Sequence, residues 1–447
     1  MRIHQWILAF GLLLNLASAH AGDSPSLKAG VARVNITPDL PFWLTGYASR
    51  TAPAKEVLHS IWAKVLVLEQ SKDNRIIFVA VDVLGLSKEI VEDVFTALHA
   101  QFGIQRSQLL INSSHTHAGP MIWPCLNVIY DFDEAEQARI ATYTQRLSRQ
   151  IVGAVEEAMR GLFPAKVFTG KGSAGFAINR RDALFPKGAV DHDVPVLKVE
   201  SEDHSIKAVL FGYACHNTTL VDKNNLISGD YAGVAQTKIE AAHPGATALF
   251  LMGCAGDQNP YPRGTSALVE QHSTELANAV GKVLMEAMNP VRAPIRTEFQ
   301  VVSLSFRPVD RSVFQQDILS SNKFLQRRAR LMLEAYNKGW NTSQFSYPIQ
   351  AVRFNNDFTI LGLSDEVVVD YSILYKKTYP RENLFVAGYC NDVQLYVPSK
   401  KVLDEGGYEG GESMIYYGHP GPFADDVEDR ITNAVHKVMR RVGAKKY

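Results

Sequence analysis

The stretch 75-RIIFVAVDVL-84 is apolar, short and rich in β-branched residues, which is the signature of a strand buried on at least one face. The preceding stretch 61-IWAKVLVLE-69 has the same character and reads as a second strand. Downstream, apolar residues recur with helical spacing from Lys88 to Phe102. A third apolar run, Gln108 to Asn112, then delivers the chain into the polar loop 113-SSHTHAGP-120. Strand, helix, strand and a loop holding His and Gly is the order of an α/β layer whose strand-end loops carry chemistry.

The same order repeats toward the C-terminus. The segments 194-VPVLKVE-200 and 206-IKAVLFGYACH-216 read as strands and Asp230 to His243 as a helix, and 246-ATALFLMGC-254 is a strand that breaks into 255-AGDQNPYPRG-264. Helices are expected at Glu134 to Arg160, Ser266 to Met288, Arg311 to Asn337 and Asp425 to Arg441, the first and last of them amphipathic. Strands are expected at Gln300 to Phe306, Ile349 to Phe354, Phe358 to Leu363 and Leu384 to Tyr389. No Pro/Gly/Ser-rich linker, repeat or low-complexity tract divides these pieces. The expectation is one large α/β domain of mixed β-sheets flanked by helices, from about residue 27 to the end, with its site on strand-end loops.

The N-terminus is different in kind. Arg2 precedes an apolar stretch from Trp6 to Leu14, and small residues follow at Ala17, Ala19 and Ala21, so residues 1–21 read as a cleavable signal peptide and 22–447 as the mature chain. The apolar stretch is shorter than the roughly 20 residues that span a bilayer, and no later segment is long and uncharged enough to do so. The expected destination is secreted or periplasmic, with no transmembrane segment after cleavage. Lys plus Arg and Asp plus Glu both number 46, with no block of like charge, which argues against a nucleic-acid partner or a strongly basic membrane face. Cys125, Cys215, Cys254 and Cys390 are too few for a disulfide scaffold and lack zinc-knot spacing, though they leave room for one or two disulfides.

In an extended segment residues two apart face the same side, so His115 and His117 can point into one cavity beside Gly119. Alone, such a pair in a chain with 13 histidines reads more readily as a surface loop or a hydrogen-bonded core pair than as a metal site. A second polar strand end, 215-CHNTT-219, changes the balance, because His216 follows a strand just as His115 does.

Taken in order, 46-GYASR-50, 79-VAVDVL-84, 113-SSHTHAGP-120, 212-GYACHNTT-219, 252-MGCAGDQNP-260, 363-LSDEVV-368, 391-NDVQLYVPS-399 and 408-YEGGES-413 resemble the catalytic domain of the neutral ceramidases over about residues 27–420. The resemblance implies a zinc ion held by His115, His216, Glu366 and Tyr396. It places His117 on the substrate side as a proton shuttle, and Arg180 in 177-AINRRDA-183 where it could stabilise an oxyanion or simply form a loop salt bridge. Asp82 and Asp257 are expected in supporting roles. The family's Gly-Asp-x-Ser-Pro element departs here to Gly256-Asp257-Gln258-Asn259-Pro260. Asn259 cannot form an acyl ester, so the change favours direct attack by water, with Asn259 left to hydrogen-bond the substrate carbonyl. Relatives continue into an immunoglobulin-like β-domain, whereas this sequence stops soon after YEGGES, so acyl-chain recognition is less legible than the hydrolysis. The implied function is a secreted zinc-dependent hydrolase of an N-acyl amide bond, in ceramide or a related N-acyl lipid. The alternatives are a metal-dependent hydrolase of small amides or esters, and a non-catalytic binding protein on the same fold. Asn35, Asn112, Asn217 and Asn341 lie in Asn-x-Ser/Thr sequons, of which the two flanking the site are expected to stay unmodified.

Overall fold

The computed structural model describes residues 27–446 apart from 127 and 185–187, so the expected signal peptide lies outside the described residues. Within it, the side chains of residues 75–84 divide between two cores. Ile77, Val79 and Val81 pack with Val91, Val94 and Leu98 of the helix Lys88–Phe102 and with Leu147 and Ile151 of the helix Glu134–Arg160. Ile76, Phe78 and Ala80 point the other way, against Val352, Phe354, Phe358 and Ile360. A strand covered on both faces reads as a continuous apolar run rather than an alternating one.

That strand belongs to a large curved sheet. Its members in chain order are β1 (Leu27–Asn35), β2 (Trp62–Ser71), β3 (Asn74–Val81), β4 (Leu109–Ser113) and β5 (Phe163–Ser173) and then, beyond the short β6 (Ala177–Asn179), β7 (Asp193–Ser201), β8 (Ile206–Tyr213) and β9 (Thr247–Met252). β10 (Gln258–Pro260) pairs with β6, and β11 (Asn289–Val291) adds to β5. The spatial order is β4-β3-β2-β1-β5-β7-β8-β9. Only β3–β4 and β8–β9 are parallel, each joined through a helix, Lys88–Phe102 and Asp230–Ala242 respectively. A second sheet runs β12 (Ile295–Ser305), β13 (Gln344–Phe354), β14 (Phe358–Leu363) and then, after the two-residue β15 (Glu366–Val367), β16 (Leu384–Ala387); β15 pairs instead with β17 (Tyr396–Val397).

The two sheets pack face to face, with helices on both outer surfaces. Helices Lys88–Phe102 and Glu134–Arg160 cover β1–β4, and Asp230–Ala242 and Ser266–Met285 cover β7–β9. The helices Asp370–Thr378 and Val427–Arg441 cover the second sheet. This is the expected α/β domain of mixed sheets flanked by helices. The outermost strands β4 and β9 meet through one side chain and through residues 387–391, whose backbone bonds to both. Met252 N–H donates to Asn112 Oδ1 at 2.8 Å, and Asn112 Nδ2 donates to the Gly388 carbonyl at 2.7 Å. The loops leaving β4, β8 and β9 therefore meet over one point.

Three details differ from expectation. The helix read as Arg311 to Asn337 is two helices, Arg311–Asp317 and Lys323–Asn337, because Asn322 caps the second one by accepting from Phe324 N–H at 2.9 Å. β1 and β5 are strands that the sequence hid under Lys, Gly and Pro; at Gly30 of β1 the Ala158 carbonyl occupies the space a Cβ would need. All four cysteines are buried and free, so the described residues hold no disulfide.

Candidate metal centre

The loops after β4 and β8 run side by side: Thr116 and Asn217 form a parallel bridge, and His117 N–H donates to the Asn217 carbonyl at 3.1 Å. The residues one step earlier, His115 and His216, are thereby set beside each other. His115 takes a left-handed backbone, φ 59°, uncommon away from glycine and of the kind that strained functional segments adopt. Beside the second sheet, Glu366 and Tyr396 are register partners in the parallel β15–β17 pair, which points their side chains the same way. Close approach of 252-MGCAG-256 to this pair depends on Gly256, where an ideal Cβ would sit 2.6 Å from the Glu366 carbonyl oxygen.

Five donor atoms converge. Glu366 Oε2 lies 3.0 Å from His115 Nε2 and 3.2 Å from His216 Nε2. His216 Nε2 is also 3.2 Å from the Tyr396 hydroxyl, and His117 Nε2 is 3.1 Å from His115 Nε2. The ligand atoms of His115, His117 and His216 lie within 4.8 Å of one another. The opposite ring nitrogens are tied to backbone carbonyls: His115 Nδ1 to Leu84 at 2.7 Å, and His216 Nδ1 to Ala255 at 2.7 Å and Gln258 at 3.1 Å. A carbonyl can only accept, so both Nδ1 atoms carry the proton and both Nε2 atoms present lone pairs. Lone pairs and a carboxylate facing each other across about 3 Å repel unless a cation lies among them. The spacings match the edge of about 3.3 Å expected between ligands of a tetrahedral zinc with bonds of about 2.0 Å.

The electrostatics fit a cation. Burial acts to raise the Glu366 carboxyl, but positive charge beside it, first at His115 and then at His216, the place a bound cation would take, outweighs burial and holds the group well below the usual carboxylate range. Burial, helped by the charge of Arg180, pushes His216 down to about 4. Burial and then the neighbouring His115 and His216 keep His117 well below 6.5, so it is neutral at pH 7. Tyr417 donates a short hydrogen bond to Glu366 Oε1, fixing the carboxylate from behind. Arg50 clamps the loop by donating to the His117 carbonyl at 2.8 Å and the Thr45 carbonyl at 2.7 Å.

His115, His216 and Glu366 are buried, whereas His117, Arg180, Asn259 and Tyr396 line a cavity of about 390 Å³ above them. All seven residues singled out from sequence thus meet at one place. The division between His115 and His117 is less sharp than expected, since His117 Nε2 is as near to the donor cluster as its other members are. Arg180 forms the loop ion pair of one reading and also lines the cavity. Its Nε donates to Glu409 Oε1 at 2.6 Å, while its guanidinium lies 5.4 Å from the Tyr396 ring centre at the cavity wall. Asn259 Oδ1 is 3.5 Å from Thr218 Oγ1, a weak contact. Asp257 is structural, accepting from Val369 N–H and Asn179 Nδ2 at 2.8 Å each, and Asp82 likewise accepts from Trp62 N–H at 3.1 Å. Sequence reading assigned no role to Tyr47, Arg50, Glu409 or Tyr417. The first three lie in the quoted motifs GYASR and YEGGES, which were the available signal; Tyr417 had none.

A domain of two packed sheets with a buried His/Glu/Tyr cluster under a polar cavity defines a metal-capable protein of the α/β class. A family model described as "Neutral/alkaline non-lysosomal ceramidase, N-terminal" matches residues 27–279, and the chain belongs to that family. Among its relatives, the neutral ceramidase of Drosophila pseudoobscura is 22% identical over 291 residues, covering 60% of this chain and 41% of that protein. That of Mycobacterium tuberculosis is 28% identical over 214 residues, covering 43% of this chain and 33% of that protein. The chain therefore spans less than half the length of these curated relatives. The crystal structure of neutral ceramidase from Pseudomonas aeruginosa superposes with a TM-score of 0.75 over 94% of this chain and 75% of that one, at 17% identity, a likeness of fold.

Proposed function

We propose that this protein is a secreted, zinc-dependent hydrolase of N-acyl amide bonds, with ceramide or a related N-acyl lipid as the substrate class that its relatives' names suggest. The observation that carries the reading is the convergence of His115, His216, Glu366 and Tyr396 beneath a cavity that His117 also lines. These four residues would hold the ion. Zinc there would supply Lewis acidity, lowering the pKa of water from 15.7 toward about 7 and polarising the acyl carbonyl.

The chain's own groups account for the rest. His117, neutral at pH 7, accepts the proton of the attacking water and returns it to the leaving amine. Arg180, braced by Glu409, is placed to meet the negative charge that grows on the carbonyl oxygen. Asn259 presents an amide where the family element has a serine, so no acyl-enzyme forms at that position. Export through residues 1–21 belongs to the same proposal.

A smaller, more polar amide is a second reading, favoured by the cavity, whose wall includes Arg180, Arg181, Arg263 and Glu409. Hydrolysis of N-acyl amides by the purified protein is expected to stop with a chelator and return with zinc. Turnover indifferent to the chelator, or none on any N-acyl amide after zinc loading, contradicts the proposal.

A further inference from the structure

The cavity above the metal centre contains a cation that the hydrolytic chemistry does not use. Arg180 and Arg181 both bind Glu409, at 2.6 Å and 2.7 Å, and Arg181 also binds Glu405 at 3.0 Å, so these charges are matched within the wall. Arg263 lines the same cavity and is exposed; among the described residues it has no carboxylate within 4.0 Å. Asp222 and Asp230, which act with Arg263 on Tyr47, are engaged elsewhere. Asp222 accepts from Ser49 Oγ at 2.8 Å, and Asp230 from the backbone of Leu220 at 2.8 Å and of Tyr231 at 2.6 Å.

The loop bearing Arg263 is held at fixed points. Tyr261 N–H donates to the Phe176 carbonyl at 2.9 Å, Gly264 N–H donates to the Thr219 carbonyl at 2.7 Å, and Thr265 caps the helix Ser266–Met285 that begins just beyond. The guanidinium is carried at the cavity wall by a braced loop, next to the positive end of a 20-residue helix. The remainder of the wall is poor in aliphatic surface, with Leu184 the sole aliphatic side chain among the described lining residues. Ligand sites of about 300–1,000 Å³ are usually lined by apolar groups, whereas the described wall here offers an acyl chain only Leu184 and the rings of Tyr47, Tyr396 and Tyr408.

We infer that Arg263 forms an anion subsite of this cavity, so that the favoured substrates are small N-acyl amides bearing a carboxylate, of the N-acyl amino acid type. The inference rests on the hydrolase reading for its chemistry but not for its binding. The carboxylate pairs with Arg263 while the amide carbonyl lies toward Arg180 and Asn259, which fixes the direction of the substrate in the cavity.

The test is equilibrium binding of N-octanoylglycine and its uncharged partner N-octanoylglycinamide to the full chain, by calorimetry with chelator present to prevent turnover. The acid is expected to bind about tenfold or more tightly than the amide, the scale of a charge-assisted hydrogen bond. Arg263→Gln is expected to bring the ratio to about one, Arg263→Lys to retain part of it, and added salt to reduce it. Equal affinities in the unaltered protein, a ratio unaffected by Arg263→Gln, or a short-chain ceramide binding more tightly than the acid overturns the subsite. Turnover of both compounds by the zinc-loaded protein is measured separately. Preferential binding of the acid without chelator-sensitive cleavage leaves the subsite standing and removes the hydrolase reading.

Discussion

Tyr417 illustrates how much of the centre is made by residues that bind nothing themselves. Its hydroxyl donates to the Glu366 oxygen that faces away from the histidines. Partners of this kind commonly set metal affinity, so Tyr417→Phe is expected to weaken zinc binding by about 10- to 100-fold, read by competition with a chelator of known affinity. Protonation gives a second handle. In the metal-free protein His216 stays neutral down to about pH 4, whereas in the unfolded chain it takes up a proton near 6.5. Below pH 6.5 the unfolded state therefore binds a proton that the fold refuses, and stability falls as pH drops toward 4, by up to about 3 kcal/mol from this group. Glu366 adds to the trend with the same sign, because its folded carboxyl is held below its usual 4.5 and its contribution is lost as pH falls beneath that value. Denaturant unfolding of chelator-treated protein between pH 7 and 4 is expected to lose stability more steeply than His216→Gln does. At this scale the sequence was informative where residues sat in contiguous motifs, as His115, His216, Glu366 and Tyr396 did. It was silent on Tyr417 and on the clamp from Arg50 to His117, because those contacts join segments far apart in the chain.

At the scale of elements, the strands with unbroken apolar runs were legible, and so were the directions of those joined directly. β3, β4, β8 and β9 could be read from composition, and the connections separate the antiparallel β2–β3 pair, joined by two residues, from the parallel β3–β4 pair, joined through a helix. β1 and β5 stayed hidden because their packing tolerates glycine and their polar residues reach solvent. The meeting of β4 with β9 is also invisible in the sequence, since it rests on the amide of Asn112 and on the backbone of residues 387–391, which bonds to both strands. That amide is fully buried, as is Asn217, which agrees with neither sequon being open to a glycan. Asn112→Ala removes hydrogen bonds to Met252 and Gly388 and leaves buried backbone groups unsatisfied. At about 1–3 kcal/mol for each of the two stranded groups, the expected loss is roughly 2–6 kcal/mol of unfolding free energy, measured by urea titration. A loss within about 0.5 kcal/mol, typical of surface substitutions, would mean that the sheet edges meet without this side chain.

Across the whole molecule, the centre joins parts that are remote in sequence: the loops after β4 and β8 from the large sheet, and β15 and β17 beside the second. The two sheets are covered by helices and share one apolar core, so the positions of these loops are fixed by packing before any ligand arrives. The composition and strand pattern announced an α/β domain, and the ordered motifs announced its family; the curvature that brings opposite sheet edges together came only from the structure. The central claim is that this convergence holds one metal ion. It is tested most directly by zinc content per chain after loading and exhaustive dialysis, for the unaltered protein and for the His115→Ala, His216→Ala double variant. One zinc per unaltered chain and none in the double variant is the expected result; no retained zinc in the first, or one in the second, would contradict the account.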